Sequence, residues 1–474
     1  MTKRLPATLR LHLWGAGVLA LLLLGGCSQF EPYQRADLAL PSHWATAPNE
    51  GQRTAGVASA AAPLPWQGFV QHEPLQALIE QALRHNLDAR LAQRQMAQLQ
   101  AQWQQRQAAQ TPALHAAAQS QLQGNADGAA QANRYQAGLQ VANWELDFFG
   151  RLQSLSEAAR AQYLASAEAE RFVRVSLVAG VVAAWLEVQS AHALLEVSQR
   201  SVANHEASLR LVQLRLQHGT ASALQRQHSE ALLQAARVAQ ARQQRQLQLA
   251  LHQLQQLAGP LHDPAASTPA PLPSGTDALS LLQPVAVGLP SEVLLLRPDV
   301  QAAENRLAAA QAQIGAARAA FFPRIALTAQ LGSASTELAG LFSGGSWGWT
   351  LAPQALLPLF DQGANRAGLA AAEAERDIAR LQYEQAIQTA FREVRDALAS
   401  QTFLQTEYAA QQALWQAESQ RAQLSARLLA LGSASQLELL DAQRSAFAAE
   451  QQWVQLRFAL LHNRLALYRA TGGH

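Results

Sequence analysis

The alternation of apolar and polar positions along this chain is dominated by two very long helical stretches. From Gly150 to Gln217 there is no proline and one internal glycine, Gly180. Apolar residues recur at Val181, Val188, Leu195, Val202, Leu209 and Leu216. Three positions further on stand Ala184, Ala191, Ser198, His205 and Val212. This heptad spacing predicts a coiled-coil seam, and its small partners let neighbouring helices approach closely. About 68 residues at 1.5 Å each make a rod of roughly 100 Å. A second proline-free rod runs from Gly363 to Leu431, with Ile387, Phe391, Val394 and Leu398 as its middle stripe. The rods alone fit a structural coiled coil that packs only on itself as well as they fit anything else.

Before each rod the period changes. A helix is predicted from Leu75 to Gln110 and stopped by Pro112. Leu114, Ala116, Ala118, Ser120 and Leu122 then alternate with polar or small residues, the period of a strand. A turn-rich Gly124–Gly128 loop follows, and then a second alternation through Tyr135, Ala137, Leu139 and Val141. The rod ends at Gly219, with Thr220 or Ser222 as cap for a helix over 222–258. Residues 259–297 are a proline-rich linker. The series then recurs: a helix from Pro298 to Phe322, strands through Ile325–Leu331 and Trp347–Leu351, the second rod, a Gly432-Ser433-Ala434-Ser435 turn and a helix over 436–469.

The recurrence is co-linear. Pro112 over Pro323 brings Asp88 over Asp299 and Phe149 over Phe360, while Gly219, Ser222 and Leu224 match Gly432, Ser435 and Leu437. Such a long period marks an internal duplication. The expected repeats are 75–258, with a β-hairpin over 112–149, and 298–470, with a β-hairpin over 323–360. Four amphipathic strands leave two open edges, which a bilayer does not tolerate, so a closed barrel needs several chains. Tyr135, Trp347 and Trp349 suit the aromatic belts of such a barrel, although ordinary packing explains single aromatics too.

The chain opens with Lys3, Arg4 and Arg10, an apolar run from Leu11 to Leu24, and Gly25-Gly26-Cys27. A basic start, a short apolar core and small residues read as a signal peptide over 1–26. Cys27 is the single cysteine, and its place after the small residues resembles a lipoprotein box, with acylation there and palmitate on the mature terminus. Ser28 resembles a signal for the outer membrane. Residues 27–74 read as an extended, lipid-anchored wrapping segment. The net charge of +2 implies no nucleic-acid partner. The 13 histidines show no metal-ligand spacing, and no nucleotide loop or nucleophile elbow is present, so neither catalysis nor a cofactor beyond the lipid on Cys27 is expected.

Several stretches resemble one family. They are Leu289-Pro290-Ser291-Glu292, Arg297-Pro298-Asp299-Val300, the run Ile314 to Pro323, the run Ala386 to Val394, Leu440 to Arg444, and Glu145 to Arg151. Together they are similar to the outer membrane factors of tripartite efflux pumps, TolC-like lipoproteins of the NodT type. The resemblance implies an α+β membrane protein: a homotrimer with a transmembrane β-barrel, four strands per chain, continuous with a long coiled-coil barrel of helices in the periplasm. It implies an outer-membrane location among outer membrane lipids, a periplasmic adaptor, and a proton-driven inner-membrane pump. The chain would be a passive exit duct for drugs or toxic compounds. Adaptor docking would fall on the turns Gly219, Thr220, Ser222, Leu224 and Gly432, Ser433, Ser435, Leu437, with Arg427, Glu438, Asp441 and Arg444 as candidate gate contacts. Many members of that family carry an aspartate in a Gly-Val-Asp turn there, where this chain has Gly432-Ser433-Ala434. A coiled-coil envelope lipoprotein and the exit tunnel of a protein-secretion system are the alternative readings.

Overall fold

A computed structural model describes residues 29, 31–35, 65–123, 132–259, 269–272, 278–285 and 291–473. The signal peptide, Cys27, most of the wrapping segment and the Gly124–Gly128 turn lie outside the described residues. After a single helical turn at Trp66–Phe69, the longer helices are α1 Glu73–His85, α2 Leu87–Ala108, α3 Arg151–Gln217, α4 Ala223–Ala258, α5 Pro298–Ala319, α6 Ala364–Ala430 and α7 Gln436–Ala470. The strands are β1 Leu114–Gln123, β2 Ala132–Leu146, β3 Arg324–Ser335 and β4 Trp347–Leu356. Packing divides the chain into two compact units, and both long helices contribute residues to each.

The first unit holds the sheet, Arg94–Glu168 and Gln301–Gln385. Its strands run antiparallel in the order β1-β2-β3-β4. The register places Ala116, Leu139, Leu331 and Trp349 side by side, with Leu114, Val141, Ala329 and Leu351 in the next such row. All of these lie on one face, since residues directly opposite one another share a face. The reverse face carries His115, Gln140, Gln330 and Thr350. A β-bulge between Val141 and Trp144, with Asn143 at φ 48°, keeps Trp144 and Leu146 on the apolar face beside Leu327 and Ile325.

On the polar face one row is Ala117, Gly138, Gly332 and Gly348. A Cβ on Gly138 would lie 2.3 Å from the Leu331 carbonyl oxygen, and one on Gly332 would lie 2.3 Å from that of Ala137. The two strands come together there too closely for any side chain. The strand alternation alone does not reveal this row.

Each rod begins with an aspartate cap. Asp147 Oδ2 accepts from the Gln153 amide at 2.7 Å, and Asp361 accepts from the amides of Gly363 and Asn365, both at 2.9 Å. At the base of the sheet Glu145, only 8% exposed, takes both guanidinium nitrogens of Arg151 at 2.7 Å and Arg324 at 2.6 Å.

The second unit packs the rest of both rods with α1, α4 and α7. Its core includes Phe69, Leu75, Ile79, Leu186, Leu254, Leu282, Leu294 and Leu461. Along α3 the predicted seam is realised: Val181, Ala184, Val188, Ala191, Ser198, His205, Leu209 and Val212 are buried, while Leu195, Val202 and Leu216 are half-buried. An apolar window of α3, with mean hydropathy 1.5, is long enough to cross a membrane, but 56% of it is buried inside the chain.

Two expectations need correction. The helix predicted from Leu75 to Gln110 is two helices broken at Asn86, whose backbone is extended (φ −61°, ψ 133°). Asn86 Oδ1 accepts from the amides of Asp88 and Ala89, capping α2, and its Nδ2 donates to the Leu257 carbonyl. A side-chain cap competing with the helical backbone is what breaks the helix. The stretch read as a linker also contains ordered structure. It has 3-10 turns at Ala278–Leu281 and Ser291–Leu296, and residues 270–272 are held by Gln189, which donates to Ala270 and accepts from Leu272.

Arg297 closes this region. It is 3% exposed, forms a two-pronged pair with Asp299 at 3.0 and 2.7 Å, reaches Glu393 at 2.9 Å and donates to the Ala470 carbonyl at 2.8 Å. Replacing Arg297 with leucine strips two carboxylates of their cation and should cost about 3 kcal/mol, seen as a lower denaturant midpoint, with lysine recovering part of it. Gly332→Val should cost about 3 kcal/mol or more, because neither backbone can retreat without breaking the ladder. The check is the thermal midpoint of the detergent-solubilised protein followed by its β-sheet circular dichroism.

Candidate functional site

The two turns at the ends of the rods are built alike. Gly219 (φ 70°) ends α3: its amide donates to Leu216, and the Thr220 amide donates to Arg215 at 2.8 Å. Gly432 (φ 76°) ends α6: its amide donates to Leu429, and the Ser433 amide donates to Leu428 at 2.9 Å. Both are Schellman closures with glycine in the left-handed region. Each is followed at once by a capping box. Ser222 exchanges hydrogen bonds with Gln225, and Ser435 exchanges them with Glu438.

The glycines of both turns face open space among the described residues. A Cβ on either glycine would meet nothing within 4 Å. Leu224 is 79% exposed, Leu431 77% and Leu437 65%. Each turn thus presents a rigid backbone with an uncovered leucine beside it. The residues read as tips from sequence are brought together in this way, within each turn.

The four candidate gate residues are not a single cluster. Glu438 is committed to its own helix cap. Arg427 is exposed and makes no ion pair among the described residues. Asp441 does bridge two helices: it pairs with Arg444 at 2.7 Å on α7 and with Arg421 at 3.5 Å on α6, while Arg421 also holds Glu418 at 2.8 Å. Sequence reasoning missed Arg421, which lies one and a half turns before Arg427 and shows its role only once the helices are paired. It also missed Gln436, whose Nε2 donates to Ser208 Oγ at 3.2 Å and ties the start of α7 to α3.

The aromatic candidates lie in the sheet. Trp347 and Trp349 are 72% and 77% exposed on the edge strand β4, opposite Ser333 and Leu331. Tyr135 is half-buried on β2, between Ser120 and Ser335.

Nothing in the described residues resembles a reaction centre. No group of three His, Cys, Asp or Glu residues there is placed to hold a metal ion. A cavity of about 810 Å³ in the first unit is bordered by Gln102, Gln105, Gln162, Gln313 and Gln382 together with Arg106, Arg306 and Glu375. Specific ligand pockets are mostly apolar with a few convergent polar groups. This hollow mixes apolar residues, Leu99, Leu155 and Ile378 among them, with these amides and charges, and its polar groups form no convergent set.

Comparison with known proteins agrees with this geometry. The family model described as outer membrane efflux protein matches residues 78–260 and 289–473. The chain is 40% identical to the outer membrane protein OprJ of Pseudomonas aeruginosa, over 96% of this chain and 95% of that one. It is 35% identical to the cation efflux system protein CusC of Escherichia coli, over 95% of this chain and 96% of that one. The open-state structure of the Neisseria gonorrhoeae MtrE outer membrane channel matches with a TM-score of 0.82 at 32% identity, over 94% of this chain and 98% of that one. The chain therefore belongs to the outer membrane efflux protein family, and it is an outer-membrane channel component of an efflux system rather than an enzyme.

Proposed function

We propose that the chain works as a homotrimer whose sheets close into one barrel, three copies of four strands giving twelve. The observation that carries this is the sheet itself. One face is apolar across all four strands, the other polar, and β1 and β4 each have one side without a strand partner among the described residues. Such a sheet is stable in a bilayer only when closed. Trp347, Trp349 and Tyr135 would then serve the aromatic belts. The rods, at roughly 100 Å each, are long enough to carry the duct into the periplasm. Cys27, acylated, anchors the chain to the membrane. Two acyl signals or more make such anchoring lasting.

In this reading Gly219, Thr220, Ser222 and Leu224, with Gly432, Ser433, Ser435 and Leu437, dock a periplasmic adaptor. A proton-driven inner-membrane pump supplies the energy. The cargo is a class of small toxic molecules, in keeping with the relatives whose names give antibiotic, toluene and cation efflux. The gate is the Arg421–Asp441–Arg444 bridge between α6 and α7, aided by the Gln436–Ser208 tie, with Arg427 as a reserve cation for a partner. The second turn has no aspartate of its own, and Asp441 supplies the nearest carboxylate outside the Glu438 cap.

The test is the oligomer mass and planar-bilayer conductance of the purified protein. A trimer with defined ion-passing steps is expected, and a monomer with no conductance would remove the duct reading. Asp441→Ala should raise the conductance of the resting trimer. Gly219→Val and Gly432→Val each force a β-branched residue into the left-handed region at about 1–3 kcal/mol. Efflux in cells should be lost while trimer mass is retained; normal efflux in both variants would remove the docking assignment.

A further inference from the structure

The short N-terminal segment of the first unit is tied to α5 at two heights and, beyond them, to the residues that join β2 to α3. Arg35 embraces the Glu304 carboxylate with two nitrogens, one of them at 2.6 Å. Glu31 pairs with Arg318 at 2.8 Å. The Gln29 amide donates to the Phe149 carbonyl at 3.1 Å. Between these ties Tyr33 is half-buried beside Glu304, and burial, followed by that carboxylate, pushes its phenol up to about 12. Glu304 and Arg318 are roughly 21 Å apart along α5. The segment therefore runs along α5 toward the base of the sheet as its numbering falls.

Gly315 is where the segment touches the helix. A Cβ there would lie 3.0 Å from the Gln29 carbonyl oxygen and 2.6 Å from Ser154 Oγ. The helix gives up a side chain to let this backbone lie down.

The segment leads to a groove of about 480 Å³ at the junction of sheet and helices. Phe148, Phe149, Phe322, Pro323, Ile325 and Leu356 form its apolar wall. Phe149 and Phe322 stack at 4.9 Å. The charges at its rim are already spent on one another, Glu145 holding Arg151 and Arg324. Around it Phe321, Leu357, Leu359 and Phe360 are left exposed, the last two at 90% and 85%. Apolar patches of this kind on a folded chain mark a surface awaiting a partner.

We propose that this groove seats an acyl chain attached to Cys27 of the same molecule, with Gln29 and residues 31–35 as the strap that delivers it. The inference rests on the acylation of Cys27 given above. Gln29 is fixed by a residue that lines the groove, and two residues of chain span at most about 7 Å. From Gln29 that reach is short beside the length of an acyl chain, and the groove's volume suits one. The strap makes the anchor part of the fold, where a bare lipid would only tether it.

The test is metabolic labelling of the full-length protein with a palmitate analogue bearing a diazirine and an alkyne, followed by ultraviolet cross-linking in outer membranes and peptide mapping. A cross-link within one chain, from the Cys27 lipopeptide to peptides containing Phe148–Phe149 or Phe322, is expected. Phe322→Ala and Gly315→Val should each lower its yield several-fold with trimer mass unchanged. A labelled Cys27 cross-linked only to phospholipid, or only to a neighbouring protomer, would overturn the seat while leaving acylation intact. Failure to label Cys27 at all would remove the acylation reading and the seat together.

Discussion

A backbone edge cannot be left bare in hydrocarbon. This constraint governs the sheet. Each unpaired amide or carbonyl in an apolar medium costs several kcal/mol, far beyond what side-chain packing along a ten-residue edge recovers. β1 and β4 are each ten residues long and pair on one side only within the described chain. Everything else about the sheet follows from its need to close. The apolar residues keep one face through all four strands, and the bulge at Asn143 adds a residue to β2 without turning Trp144 or Leu146 to the wrong side. The glycines at 138 and 332 permit the tight approach of β2 and β3.

Much of this was legible in the amino-acid sequence because it rests on periodicity. The rods at Arg151–Gln217 and Ala364–Ala430 follow from the seven-residue recurrence of apolar residues and the lack of proline. The strand faces follow from alternation, and the turns follow from glycine ahead of serine. What escaped was set by single polar side chains acting at a distance. Asn86 breaks a stretch of uninterrupted helical pattern because its side chain has two better uses, capping α2 and reaching Leu257. Arg421 looks like any exposed helix arginine until α7 places Asp441 beside it. The family stretch Arg297-Pro298-Asp299 gave no physical hint that its arginine is buried with Glu393, which lies 96 residues away.

The two halves show how a duplicated plan diverges under one rule. Asn86 and Arg297 stand at matching places, each just before a helix that leads to the strands. Both stop the preceding turn and bind backbone from a distant segment, Leu257 in one case and Ala470 in the other. One does so with a neutral amide and the other with a buried cation. The cation demands two carboxylates and a carbonyl around it, so at this place the second half carries a charged hub where the first half has a neutral cap. The histidine in the α3 seam shows a related economy. His205 is buried, and desolvation lowers its pKa, so it sits in the coiled coil as a neutral, mid-sized side chain.

The turns at Gly219 and Gly432 satisfy their own hydrogen bonds within a few residues, and nothing else in the described chain touches their glycines. Such a turn is an exchangeable cartridge. Its exposed leucines, Leu224 and Leu437, can be exchanged without disturbing the glycine and the serine cap that shape the turn. Under the docking proposal, lineages that keep the rods and trade only these few residues would acquire new assembly partners by small steps, and two such turns per chain would allow one to be altered while the other preserves the old match.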